Sequence, residues 1–130
     1  MTAWQAITNQ LQTILAAHNV PWTVAVSPPP GQAGPCVALG TIRFRPGDRS
    51  SLAEYPRMEI EITVSGVDAE AAEQAYEITE ELAAAAWTST RFVTISGRVT
   101  EFRMERDEGA RKELFIATAT IEYQVQRVEE

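Results

Sequence analysis

An α+β domain is the fold class that the sequence predicts: a largely antiparallel sheet of about six strands with two helices, in the order helix, three strands, helix, three strands. Two stretches repeat small or apolar residues at helical spacing. They are Trp4, Ile7, Leu11, Ile14 and Leu15, and then Ala72, Ala75, Tyr76, Thr79, Leu82, Ala83 and Ala86. Two others alternate with period two, RMEIEITVS from Arg57 and FIATATIEYQVQ from Phe115. The strands fall in two blocks instead of alternating with helices, which excludes a doubly wound parallel sheet.

The first helix is expected over Ala3 to His18, with Thr2 as its N-cap. It stops near Asn19, and Pro21 cannot continue it. WTVAV, Trp22 to Val26, is a short strand by its β-branched residues. SPPPGQAGP, residues 27–35, holds four prolines and two glycines and is a stiff loop. CVALGTIRFR, Cys36 to Arg45, is the second strand, with a bulge expected at Gly40. A second loop covers about 46–56.

The third strand runs from Arg57 to Ser65. It sends Met58, Ile60, Ile62 and Val64 one way and Glu59, Glu61 and Thr63 the other. Gly66 is expected to turn the chain, and Asp68 to cap a second helix reaching about Trp87. Its outer stripe is acidic: Glu70, Glu73, Glu77, Glu80 and Glu81. That stripe is either solvated or waiting for a cationic partner. A fourth strand, Phe92 to Ser96, is expected to break at Gly97, with a fifth over Arg98 to Arg106. DEGA, residues 107–110, then turns a hairpin into a sixth strand, Arg111 to Val128. That last strand points Phe115, Ala117, Ala119, Ile121, Tyr123 and Val125 to one side. Over 115–126 the other side is polar but carries a single charge, Glu122.

The whole, 1–130, reads as a single domain. One cysteine, Cys36, excludes an intrachain disulfide. No basic and apolar leader opens the chain, and no apolar run is long enough for a membrane span. Lys and Arg number 11 against 18 Asp and Glu, a net charge of −7. Such a balance argues against sequence-specific nucleic-acid binding, since phosphate affinity comes from Lys and Arg. It suits a surface past which DNA slides without sticking. Residues 1–42 contain no charged side chain, so all 29 (11 + 18) lie from Arg43 onward. Charge depletion marks the centre of subunit interfaces, or a half-buried segment.

No catalytic constellation emerges. His18, the single histidine, sits at a helix C-terminus, where it complements the dipole or bonds the last carbonyls. Cys36 reads as a small apolar strand residue and not as a nucleophile. Glycines in PPPGQAGP lack the Lys and Ser/Thr of a phosphate loop. Glu59 and Glu61 form ordinary strand alternation. No cofactor, metal or enzymatic activity is expected. Arg43, Arg45, Arg49 and Arg57 surround the second loop as the densest basic patch, solvated or paired with the acidic helix of a neighbouring subunit.

The layout resembles the tail-terminator, or tail-completion, proteins of long-tailed bacteriophages. The matching stretches are a helix beginning WQAITNQLQTIL, a strand led by PW, EYPRMEIEITVSG running into an acidic helix, and a hairpin ending ELFIATATIEYQVQRV. The resemblance implies a homo-oligomer, a hexameric ring that caps the tail tube and stops its polymerisation. It implies two further partners, the tail tube protein and the head connector, and a lumen that passes DNA. The protein would be a virion component of the tail or neck, assembled in the host cytoplasm. Under this reading Glu59, Glu61 and Glu122 are candidates to line the lumen. Arg43, Arg45, Arg49 and Arg57, with Thr118, Thr120 and Gln124, are candidates for the subunit interface. Two alternatives stay open: another neck or head-completion protein, or a small non-enzymatic α+β module that binds a ligand or a protein.

Overall fold

A computed structural model describes residues 1–25, 35–45, 56–108 and 113–128. Helix α1 spans Ala3–Ala17, followed by strands β1 (Thr23–Ala25), β2 (Cys36–Arg45) and β3 (Arg57–Val67). Helix α2 spans Ala69–Ala84 and leads into β4 (Phe92–Arg106) and β5 (Phe115–Arg127). The strands form one mixed sheet in the order β1-β2-β3-β5-β4, with β1 parallel to β2 and every other pair antiparallel.

Five strands replace the six expected, because Phe92–Arg106 is continuous through Gly97. Gly97 is a packing position and not a break. A Cβ there would stand 2.3 Å from the Ala83 carbonyl oxygen and 2.6 Å from Cδ1 of Tyr123. Gly66 also stays within its strand. Its φ of 72° accompanies a register shift between Val64 and Val67, so it makes a bulge where a turn was expected. Gly40 lies in the register shift between Leu39 and Ile42, the expected bulge. The loops expected at 27–35 and 46–56 lie outside the described residues, apart from their closing prolines. So do residues 109–112, which hold the end of the hairpin turn and the expected start of the last strand.

Both helices begin as their sequences require. The Thr2 hydroxyl accepts from the Gln5 N–H, and the Gln5 side chain accepts from the Thr2 N–H, a reciprocal capping box. Asp68 accepts from the Ala71 N–H at 2.8 Å. Asn19, at φ 55°, ends the first helix in the left-handed region that Asn tolerates.

Helix α2 lies across β3, β5 and β4, and α1 packs beside α2. The core between helices and sheet gathers Ile7, Leu11, Met58, Ile60, Ile62, Ile78, Leu82, Ile121 and Tyr123, each fully buried. Each large side chain of this kind stabilises the fold by roughly 1.5–3 kcal/mol. The inner stripe of α2 differs from the expected one by a rotation. Ile78 is buried, whereas Tyr76 and Ala86 are exposed. Tyr123 donates from its hydroxyl to the Leu82 carbonyl at 2.9 Å, and its ring meets Trp87 edge-on at 5.5 Å. Burial pushes its phenol far above the ordinary tyrosine range.

Candidate functional site: the open face of the sheet

The helices cover one face of the sheet, and the polar residues of four strands meet on the other. The pairing sets them in rows. Arg43, Glu59, Glu122 and Arg98 stand side by side across β2, β3, β5 and β4. In the next row are Arg45, Arg57, Gln124 and Ser96. On the other side of the first row lie Glu61, Thr120 and Glu101, then Thr63, Thr118 and Arg103.

The first row explains how the face holds its charge. Glu59 and Glu122 are directly opposed, a like-charge arrangement that destabilises a strand pair. Each carboxylate is held by an arginine on its outer flank. Arg45 reaches Glu59 at 3.2 Å and Arg98 reaches Glu122 at 3.3 Å. The glutamate side chains are only 18% and 11% exposed, while their arginines are 55% and 72% exposed. The arginine heads therefore lie over the carboxylates, and each exposed pair is worth about 0–1 kcal/mol. The Arg43 and Arg57 side chains make no hydrogen bond or ion pair among the described residues. Arg45 and Arg57 are themselves direct cross-strand neighbours.

Two depressions of about 360 Å³ each mark this face. Arg57, Arg98, Glu122 and Gln124 line one, and Arg43, Glu59, Glu61 and Thr120 are among those lining the other. Around them the Ser96 hydroxyl donates to the Gln124 side-chain oxygen, and the Thr100 hydroxyl donates to the Thr120 carbonyl, both at 3.3 Å.

The sequence placed Glu59, Glu61 and Glu122 in one group and Arg43, Arg45, Arg57, Thr118, Thr120 and Gln124 in another. The fold brings all nine onto one face. Arg49 lies outside the described residues. The contribution of β4, namely Arg98, Glu101 and Arg103, was missed. Register shifts between Thr94 and Ser96 and between Val99 and Glu101 break the alternation that would have revealed it. On the helix side, His18 contacts Glu81 through Nε2 at 2.9 and 3.0 Å, so the acidic stripe of α2 has one partner among the described residues. Cys36 is buried. No group of three or more His, Cys, Asp or Glu is placed to hold a metal among the described residues. No helix among them is long and apolar enough to cross a membrane.

No known family pattern matches the chain, and no curated protein does. The fold is similar to that of a chain solved in the virion of a native gene transfer agent particle. The two share 18% identity with a TM-score of 0.71, over 97% of this chain and 95% of that one. At that identity the likeness establishes a common fold, an α+β unit with two helices on one side of a mixed sheet.

Proposed function

We propose that this protein is a structural component of a phage-like virion, a tail terminator whose ring caps the tail tube and joins it to the head connector. The observation that carries the reading is the near-complete fold likeness to a chain of a gene transfer agent virion. It agrees with the resemblance of WQAITNQLQTIL, EYPRMEIEITVSG and ELFIATATIEYQVQRV to tail terminators.

In such a ring the open sheet face lines the channel. Arg43, Arg45, Arg57, Arg98 and Arg103 are balanced there by Glu59, Glu61, Glu101, Glu105 and Glu122. Phosphate affinity requires an excess of cations, and this face has none. DNA would pass it without being held, and Thr118, Thr120 and Gln124, which share this face with the glutamates, would give the channel an uncharged floor instead of the subunit contact expected from the sequence. The depressions on this face are lined mainly by charged and polar side chains, which suits a passive channel better than the mostly apolar lining of a small-ligand site. The protein needs no catalysis or cofactor for this work.

The test is to add the purified chain to its cognate tail tube protein while the tubes polymerise. Tubes that shorten with increasing chain, each capped at one end in electron micrographs, are the expected result. Tubes of unchanged length and bare ends would overturn the terminator role.

A further inference from the structure

The turn between α2 and β4, residues 85–91, buries two side chains, Trp87 and Ser89. Ser89 bonds locally. Its hydroxyl accepts from the Phe92 N–H at 3.0 Å and donates to the Phe92 carbonyl at 3.3 Å. Trp87 reaches further. Its backbone N–H donates to the Thr94 hydroxyl at 3.0 Å, and its carbonyl accepts from the Thr94 N–H at 3.2 Å. Its indole enters the core and meets the Tyr123 ring edge-on at 5.5 Å.

The Trp87 Nε1–H is buried and makes no hydrogen bond of ordinary geometry among the described residues. A buried donor is costly to leave unpaired, and native interiors pair nearly all of them. The Tyr123 oxygen is the acceptor at hand. It gives its own proton to the Leu82 carbonyl at 2.9 Å, which leaves its lone pairs free. The indole stands just short of ordinary bonding geometry yet near enough to act on the phenol. Burial pushes the Tyr123 phenol up, and hydrogen bonding by Trp87 opposes that. Gly97 permits the arrangement, since a side chain there would displace the Tyr123 ring. A hydroxyl that accepts one hydrogen bond while donating another strengthens both.

The turn carries more than its own residues. The Thr90 N–H donates to the Met1 carbonyl, and the Val128 N–H to the Arg91 carbonyl, both at 2.8 Å. The Thr90 hydroxyl adds a second bond to the Met1 carbonyl at 2.9 Å. The approach to α1 and the exit from β5 are thus both hung on the segment that Trp87 pins.

We propose that Trp87 Nε1–H, the Tyr123 hydroxyl and the Leu82 carbonyl form one hydrogen-bond relay that latches the 85–91 turn to the sheet. When the relay breaks, the turn opens together with Met1 before α1 and Val128 after β5. Such a group of contacts, dependent on one buried anchor, is a cooperative unit that opens below the cost of global unfolding. The latch is independent of the virion reading.

The test replaces Trp87 by 3-benzothienylalanine, which keeps the shape of the indole and puts sulfur where the N–H stands. The relay predicts a folding constant lowered about fivefold. In a Tyr123→Phe background the same replacement is expected to have no effect beyond twofold, because the acceptor is already gone. An analogue protein as stable as wild type, or more so, would show that the N–H has no partner and would overturn the relay. Native-state hydrogen exchange tests the latch. The Thr90 and Val128 amides are expected to exchange about fivefold faster in the analogue protein, and by equal factors. The Ala71 amide, held by Asp68 at the far end of α2, is expected to keep its rate. Thr90 and Val128 rates that stay unchanged, or that diverge, would overturn the latch. Should the analogue protein not fold, the indole proton of Trp87 in isotope-labelled protein decides. Its resonance is expected to move upfield from wild type to Tyr123→Phe, and an unmoved resonance would sink the relay.

Discussion

The ring of Tyr123 occupies the space in which Gly97 would otherwise carry a side chain: a Cβ on Gly97 would lie 2.6 Å from Cδ1 and 2.8 Å from Cε1. The Ala83 carbonyl at the end of α2 closes the same space from the other side, at 2.3 Å. Backbone cannot yield as a flexible side chain does. Gly97→Ala is therefore expected to destabilise the protein by about 2 kcal/mol or more. Urea unfolding would measure it, and an unchanged midpoint would refute the packing argument.

Tyr123 makes stability depend on alkaline pH. Its folded phenol holds the proton well beyond the ordinary range because burial penalises the phenolate. The unfolded phenol ionises near pH 10, so above that pH the unfolded state binds fewer protons and stability falls. The contribution is fully present below about pH 10 and is lost at up to about 1.4 kcal/mol per pH unit above it. Tyr123→Phe removes the bond to the Leu82 carbonyl, at a cost of about 1 kcal/mol. It should also flatten the alkaline slope. Unfolding curves at several values of pH separate the two effects.

The reciprocal cap at the start of α1 should be visible in stability. Thr2→Ala removes the acceptor for the Gln5 N–H and is expected to cost about 1 kcal/mol. A shift in the thermal midpoint with unchanged oligomeric state checks this, since the cap is local.

The balance of charge on the open face predicts how DNA responds. Wild type is expected not to bind duplex DNA at moderate salt. Glu59→Arg with Glu122→Arg turns the central row Arg43, Glu59, Glu122, Arg98 wholly cationic. That variant should bind duplex of any sequence, with affinity falling steeply as salt rises. Fluorescence anisotropy over a salt series measures both. Tight binding by wild type would contradict a channel that lets DNA slide.

Much of this fold could be read along the chain, because most elements carry a local signal. Thr2 and Asp68 announce helix starts through chemistry contained within four residues. The alternation from Met58 to Val64 fixes which side of β3 is buried. Where reading failed, the deciding contact was distant in sequence. Gly97 looks like a strand breaker until Tyr123 and Ala83 are seen against it. The parallel pairing of β1 with β2 cannot be inferred from either strand alone. Arg98 joined the open face only once its opposition to Glu122 was known, and two bulges hide that register. The rotation of α2 that buries Ile78 and exposes Tyr76 reflects where the sheet lies, which helical spacing does not specify.

The two irregularities in β4 have a consequence for how copies meet. This 15-residue strand ends the sheet, and beyond a single bridge between Thr88 and Val93 its outer side has no strand partner among the described residues. A straight edge of that length would template another strand and propagate into fibrils. Bulges kink the edge twice and throw its free amide and carbonyl groups out of step with any flat, incoming chain. Growth by backbone zippering is thereby discouraged, and encounters between molecules are left to side chains, whose shape and sign can limit an assembly to a fixed number of copies.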